Sequence, residues 1–291
     1  MATSFSEKSN SNLRELLSEN PQLQIPRDEY NITVTSNEGD MLTTQEVEKE
    51  IRQHPGKGFP THLYFHVPVC NYVCHFCNYV KYLLPRGKEA ESLQQWGDVL
   101  VEESSGHLKR FPWIPQAKIE SFYIGGGTAA LLLNAPSSLK NLLQHCRENY
   151  SFEPDAEWSL EGNPDNFSEE NVETAVAMGF NRFSVGVQSL DDRVNSFTGR
   201  LHTKVQSLES IDNLLKTRVP FNVDMMFGLP YQTLDSVRDD ILQLVRKNVP
   251  TITIYRLRNA DRQSMGIGNR SAWNTPKIRE RLVQQKLFPS F

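Results

Sequence analysis

The sequence predicts an α/β fold in which six parallel strands alternate with helices. From about residue 60, short apolar runs alternate with longer amphipathic stretches, as strands and crossover helices do. Hydrophobic residues make up 38% of the chain and charged residues 23%, which is enough apolar content for a core. Right-handed crossovers between parallel strands give either a doubly wound sheet or a full or partial barrel. Both architectures bind ligands at the carboxyl ends of their strands.

The elements follow one another in a regular order along the chain. The predicted strands are the apolar runs Leu63–Val67, Ile119–Ile124, Glu157–Leu160, Arg182–Val187, Phe221–Met226 and Thr251–Tyr255. The predicted helices have apolar positions at helical spacing and cover Ser92–Lys109, Ser137–Asn149, Ser168–Met178, Gln206–Lys216 and Leu234–Lys247. We expect three regions: an N-terminal extension over residues 1–58, a core domain over 59–258, and the start of a truncated C-terminal segment over 259–291. That last segment includes a short charged helix, Thr275–Lys286.

Charge and hydropathy narrow the function classes. The net charge of −4 comes from 31 basic and 35 acidic residues without a basic tract, which predicts no nucleic-acid partner. The polar N-terminus is unlike a signal peptide. The sequence contains no run of eighteen apolar residues, so we expect no membrane-spanning helix. Clustered cysteines indicate a reducing compartment, so we expect a cytoplasmic protein.

Three of the four cysteines lie close together after the first predicted strand. Cys70, Cys74 and Cys77 have the spacing Cys-x3-Cys-x2-Cys, and thiolates suit zinc, copper(I) or iron–sulfur clusters. A structural zinc site needs four ligands, and His66 or His75 could supply the fourth, so a zinc-stabilised interaction domain remains an alternative. Three thiolates on a four-iron cluster would instead leave one iron open to a substrate, which is a catalytic arrangement. The fourth cysteine, Cys146, is predicted to be a structural thiol on a helix.

The cysteine spacing directly after a first strand resembles the signature of the radical S-adenosylmethionine superfamily. The preceding Tyr64-Phe-His66-Val-Pro68 is similar to the subgroup of oxygen-independent coproporphyrinogen III oxidase, which includes methyltransferases, cyclopropanases and haem chaperones. This resemblance implies a partial (β/α)6 TIM-like barrel with parallel strands. It also implies a 4Fe–4S cluster on the three cysteines, which cleaves S-adenosylmethionine reductively to methionine and a 5′-deoxyadenosyl radical. The implied partners are a small-molecule substrate and a reductant such as flavodoxin or ferredoxin.

Chemically competent residues recur at the other predicted strand ends. Glycines after the second strand let the backbone approach a ligand and expose N–H donors. Asp224 lies inside an apolar strand, so its carboxylate must be paired or face a polar cavity. The amide and guanidinium after the fourth strand suit a polar, partly anionic ligand. The resemblance implies a cofactor-binding set, whereas no catalytic residue is assigned; the set is Tyr64, Phe76, Gly126, Gly127, Thr128, Glu161, Gln188, Arg200, Asp224 and Met226.

The function we expect is methyl transfer or cyclopropanation. The stretch Cys74–Lys81 looks similar to the methyltransferase branch, and Tyr79 stands where the decarboxylase has a further cysteine. That chemistry would need a second S-adenosylmethionine as carbon donor, which we expect near the Tyr255–Arg258 strand end. The alternatives are anaerobic coproporphyrinogen III oxidation in porphyrin biosynthesis and a haem chaperone that binds its ligand without converting it.

Overall fold

The computed structural model describes residues 43–53, 56, 60–77 and 79–257. Its helices are α1 Thr44–Arg52, α2 Glu89–Arg110, α3 Pro136–Asn149, α4 Glu169–Ala177, α5 Asp192–Phe197, α6 Lys204–Thr217 and α7 Leu234–Arg246. Its strands are β1 Pro60–Val67, β2 Val69–Cys70, β3 Tyr82–Leu83, β4 Lys118–Gly126, β5 Ser151–Gly162, β6 Arg182–Gln188, β7 Phe221–Phe227 and β8 Thr251–Arg256. Short 3₁₀ turns cover Ile114–Gln116, Ala129–Asn134 and Pro164–Asn166.

The main sheet has six strands in the order β1-β4-β5-β6-β7-β8, and every neighbouring pair is parallel. Strand order in the sheet follows chain order, so each right-handed crossover moves in the same direction and its helix covers the same face. A doubly wound sheet would reverse direction at a switch point. The described chain therefore forms a partial barrel, with β1 and β8 at its two edges.

The two faces of the sheet differ because side chains alternate along each strand. The face covered by helices is apolar and forms the core, with the fully buried Phe122, Ile124, Leu160, Phe183, Val185 and Val223. The opposite face carries hydroxyl, amide and carboxyl side chains from the same strands. Cys146 belongs to the apolar side, where burial raises the pKa of its thiol to about 12, as expected of a structural cysteine. Polar chemistry is thus confined to one face of the sheet.

Several element boundaries differ from the sequence prediction. Strand β5 begins at Ser151, six residues before the predicted run. The sequence did not indicate this first half of the strand, because its pairing with β4 is irregular between Ile119 and Ser121. The irregularity breaks the apolar alternation that would have revealed the first half of the strand. Helix α5 was missed because it has six residues, too few to show a helical period. Helix α2 begins three residues before the predicted start, at Glu89.

One part of the predicted N-terminal extension is described, namely helix α1. Thr43 and Glu46 close a capping box at its start, and the Glu48 carboxylate pairs with Arg110 at the end of α2. The Trp113 indole N–H donates to the Ile51 carbonyl at 2.7 Å. Residues 1–42, 54, 55, 57 and 58 of that extension, Arg258 and the predicted C-terminal segment with Thr275–Lys286 lie outside the described residues. No helix among those described has the length and apolar content needed to cross a bilayer.

Candidate functional site

The cysteine loop follows β1 and is anchored at both ends. Its first cysteine, Cys70, lies in β2, which pairs with β3, and the Cys77 N–H donates to the Cys74 carbonyl at 3.2 Å. On the other side, the His75 backbone N–H donates to the Thr198 carbonyl at 2.7 Å. Cys70 is buried, the other two cysteines are half-buried, and all three are free thiols. The loop therefore presents three thiols from a fixed backbone.

A chain of polar side chains connects this loop to the strand ends. The Thr128 hydroxyl donates to the Cys70 sulfur at 3.6 Å, and the Asn163 amide donates to that hydroxyl at 3.3 Å. The buried guanidinium of Arg200 donates to the Asn163 oxygen at 3.1 Å and to the Cys74 sulfur at 3.5 Å. Arg200 thus lies directly against the cysteine loop, where its positive charge favours thiolates.

Burial has a defined effect on the first thiol. It raises the pKa of Cys70, and the neighbouring Cys74 and Cys77 act in the same direction, while the hydrogen bond from Thr128 opposes them. A metal is bound by the thiolate, so loading this loop with metal would release protons.

The glycines at the end of β4 are required for close approach. A Cβ at Gly127 would lie 2.5 Å from the Val69 carbonyl oxygen and 3.0 Å from the Cys70 sulfur. Gly126 has a φ of 118°, and a Cβ there would lie 2.8 Å from the His66 ring. Their N–H groups have acceptors within the chain: Gly127 donates to Val67 at 2.8 Å and Gly126 to Glu161 at 3.4 Å. The structure thus differs from the expectation that these N–H groups serve as exposed donors.

Two carboxylates lie on the polar face of the sheet. Glu161 accepts hydrogen bonds from the Tyr123 hydroxyl at 3.3 Å and the Gly126 N–H. Asp224 accepts from the Ser184 hydroxyl at 3.0 Å and the Asn222 amide at 2.6 Å. Burial raises the pKa of both carboxyls, and the Asp224 charge raises that of Glu161 further.

Neither carboxylate forms an ion pair with a described residue. The charge of Arg182 lowers the pKa of Asp224, but the ion pair of Arg182 is with Glu157 at 3.4 Å. A partly buried carboxylate without an ion-pair partner is costly, so the polar face is suited to a ligand with positive charge or hydrogen-bond donors.

Gln188 is positioned by a bulge at the end of β6. The residues on either side of Val187 pair with β7, whereas Val187 does not, and Gln188 adopts a φ of 70°. The imidazole of His202 lies 3.2 Å from the Val187 carbonyl oxygen. Burial, with the nearby Arg200 charge, lowers the pKa of His202 to about 3, so the ring is neutral. Its N–H is therefore on Nε2, which donates to Val187 and supports the bulge.

The remaining predicted site residues are less closely engaged. Tyr64 is exposed on the polar face, with its hydroxyl 2.8 Å from His66 Nδ1 and its ring 6.0 Å from that of Tyr123. Phe76 and Met226 are half-buried, and no described contact assigns them a role. The structure thus places Tyr64, Glu161 and Asp224 on one face, with Thr128 and Arg200 against the cysteines.

Four residues of the site were not predicted as ligands from the sequence, namely Tyr123, Asn163, Ser184 and Asn222. Tyr123 and Ser184 alternate with fully buried apolar residues along β4 and β6, and that period of two was the available signal. Asn163 directly follows β5, at the strand end where ligands are expected. Side-chain amides in such positions carry no signal of their own.

The donor set fits a cluster better than one metal ion. No three His, Cys, Asp or Glu side chains of the described residues converge to hold a single ion. The two candidate histidines have other partners: His66 contacts Tyr64, and the His75 ring lies 2.9 Å from the Phe197 carbonyl. The zinc alternative therefore has no four-ligand site in the described part of the chain. Three free thiols on one anchored loop, with a guanidinium beside them, suit an anionic cluster.

Comparison with known proteins places these features in context. The sequence profile described as "Radical SAM superfamily" matches residues 64–244. The heme chaperone HemW of Haemophilus influenzae is 33% identical over 201 residues, which are 68% of this chain and 51% of that protein. The oxygen-independent coproporphyrinogen III oxidase of Escherichia coli is 30% identical over 201 residues, which are 67% of this chain and 41% of that protein.

A solved structure agrees with the fold. The coproporphyrinogen III oxidase HemN of Escherichia coli superposes with a TM-score of 0.70 and 22% identity, covering 84% of this chain and 55% of that one. This match supports the partial barrel. The chain spans about half the length of the curated relatives it matches.

Proposed function

Since this chain belongs to the radical SAM superfamily, we propose that Cys70, Cys74 and Cys77 hold a 4Fe–4S cluster beside an S-adenosylmethionine site on the polar face of the sheet. The cofactors of the family are this cluster and S-adenosylmethionine. When bound, the two would supply a one-electron cleavage of S-adenosylmethionine. The observation that carries the proposal is the set of three free thiols on an anchored loop, with the Arg200 guanidinium 3.5 Å from Cys74.

The site residues would have two roles, which differ in the sign of the charge that they supply. Arg200, Asn163 and Thr128 orient the thiols and place a positive charge behind an anionic cluster. Glu161 and Asp224 carry the opposite charge on the ligand face, where the ammonium and hydroxyl donors of S-adenosylmethionine need acceptors. Gln188 adds an amide at the end of β6.

For the function of the whole protein, we propose haem handling of the chaperone type. The haem chaperone relatives support it, and Tyr79, at the position where the decarboxylase has a further cysteine, counts against coproporphyrinogen decarboxylation. The relatives favour this haem-related alternative over the methyl transfer or cyclopropanation expected from the sequence. A second S-adenosylmethionine near the Tyr255–Arg258 strand end stays a prediction, and Arg258 lies outside the described residues.

Anaerobic reconstitution tests both the proposed cluster and the proposed haem-chaperone function. We expect about 4 irons per chain, loss of most of that iron in Cys77→Ala, and retention of it in the matched control Cys146→Ala. The loaded protein should form 5′-deoxyadenosine with a reductant and bind haem stoichiometrically. Stoichiometric zinc without iron would refute the cluster. Decarboxylation of coproporphyrinogen III, or transfer of a labelled methyl group without haem binding, would refute the chaperone function.

A further inference from the structure

Residues 79–88 form an exposed apolar segment beside the cysteine loop, here called the rim segment. Four of its side chains are exposed to water: Tyr79 at 70%, Val80 at 71%, Tyr82 at 57% and Leu83 at 55%. Scattered exposed apolar residues are ordinary, but four within five consecutive positions form a continuous patch of the kind that marks an interaction surface.

The rim segment is fixed to the peptide that carries the cysteines. Its strand β3 pairs with β2, so that Leu83 is opposite Cys70, and the Leu84 N–H donates to the Cys70 carbonyl at 3.0 Å. The Lys81 ammonium donates to the Cys77 carbonyl at 3.0 Å. The exposed patch is therefore one hydrogen bond away from the backbone of two proposed cluster ligands.

The charge of the rim segment is opposite to that of the whole chain. Residues 79–88 contain Lys81, Arg86 and Lys88 and no carboxylate, in a chain of net charge −4. The acids Glu89 and Glu91 follow in the first turn of α2 and are exposed, so the excess of positive charge is confined to residues 79–88. A partner approaching this surface thus meets exposed apolar side chains flanked by cations, which selects an acidic protein.

We propose that the rim segment is the docking surface for a small acidic one-electron carrier of the flavodoxin class, which reduces the cluster. This inference rests on the proposed function, because each cleavage of S-adenosylmethionine consumes one electron that a donor must supply. In the docked complex the carrier loses one electron and the cluster gains it, and no bond is made or broken. Such transient electron-transfer complexes use small interfaces and long-range charge steering, as this short basic and apolar segment would provide.

The decisive experiment measures the rate at which the cluster of the reconstituted chain is reduced. Reduced flavodoxin or dithionite is mixed with the protein by stopped flow, and the cluster absorbance is followed. Two variants change the surface and leave the cysteine contacts in place: the double charge reversal Arg86→Glu/Lys88→Glu and the single change Val80→Asp. Lys81 is left intact because it binds the Cys77 carbonyl.

A matched charge reversal serves as the control. Lys109 and Arg246 are exposed and lie in the last turns of α2 and α7. Those turns precede β4 and β8, so they lie at the amino ends of the strands, opposite the cysteine loop. Lys109 is separated from Glu89 by almost the whole of α2, which is about 30 Å. Lys109→Glu/Arg246→Glu changes the net charge equally but leaves the rim segment unchanged.

We expect the double reversal at the rim to slow reduction by flavodoxin at least about tenfold at low salt, with the difference shrinking as salt is added. Val80→Asp should slow the same reaction, while the control and all dithionite rates stay at the wild-type value. Carbodiimide should also cross-link carboxylates of the carrier to Lys88, and not to Lys109.

Each contrary result has a distinct meaning. Unchanged flavodoxin rates in both rim variants, with normal iron content, refute the docking surface and leave the proposed function standing. So does a shift of Val80→Asp from dimer to monomer without any change in rate, because the patch would then join two copies of the chain. Absence of iron from the wild-type chain refutes the proposed function, and this inference with it.

Discussion

Replacing Gly127 by alanine should disrupt the cluster site through a contact that cannot be relieved cheaply. The new Cβ would lie 2.5 Å from the Val69 carbonyl oxygen, a backbone atom, and 3.0 Å from the Cys70 sulfur. Relaxed contacts need about 3.5 Å, so the end of β4 and the cysteine loop must separate by about 1 Å. Such overpacking costs about 1–3 kcal/mol in the free energy of unfolding. Because Cys70 moves with its backbone, we expect the iron content to fall as well.

The matched control is Gly106→Ala, at an exposed position of α2 four residues before its end, where an added Cβ meets nothing within 4 Å. Alanine there should stabilise the chain by about 0.5–1 kcal/mol through its higher helix propensity. Urea unfolding of the metal-free chain measures both changes, and iron analysis after reconstitution measures the site. Full iron content and wild-type stability in Gly127→Ala would show that the two segments are not held together as the structure has them.

Three further outcomes follow from the same site. Glu161→Gln should make the metal-free chain more stable than wild type at neutral pH, because burial raises the pKa of this carboxyl and folding then loses stability as pH rises through that pKa. The gain should vanish below about pH 4.3, where the unfolded carboxyl is protonated, and urea midpoints at pH 4 and pH 7.5 test it. His202→Ala should cost about 1–3 kcal/mol by leaving the Val187 carbonyl unpaired, with His202→Gln recovering part of the loss in thermal unfolding. Asp224→Ala should weaken S-adenosylmethionine binding in calorimetry and keep the iron; loss of iron would show a structural role.

The sequence predicted the parallel strands because they are buried on the helix-covered face and read as short apolar runs. It did not predict β2 and β3, which have two residues each. These strands form because the chain after the cysteines returns and pairs β3 with β2. The early start of β5 was hidden for a related reason, since an irregular register disturbs the alternation. Local sequence patterns identify helices and strands that are long enough to show a repeating spacing of apolar residues. Shorter elements depend on tertiary contacts, which such patterns do not show.

The candidate site could be predicted at the level of residue placement. The rule that ligands bind at the carboxyl ends of parallel strands brought Glu161, Gln188 and Asp224 to one pole, and the structure has them there. The direction of a side chain after a strand end could not be predicted. We expected Arg200 to face a ligand at the mouth of the barrel, whereas its guanidinium donates to the Cys74 sulfur. This contact joins residues 126 positions apart in the chain, so no local sequence pattern indicates it.

The charged side chains of the site are separated by sign, with a cation beside the cysteines and two carboxylates on the polar face of the sheet. The buried Arg200 lies behind the cysteines, where a cation offsets the negative charge of thiolates and of the proposed cluster. Glu161 and Asp224 lie on the polar face with raised carboxyl pKa values and no ion pair among the described residues, so their ionised forms are stabilised by neutral hydrogen-bond donors and, for Asp224, by the charge of Arg182, which is paired with Glu157. A cationic ligand would favour those ionised forms, because an opposite charge lowers a carboxyl pKa. S-adenosylmethionine carries positive charge on its sulfur and its amino group. The instability that burial imposes on these two carboxylates in the free chain is therefore what a cationic cofactor would relieve on binding.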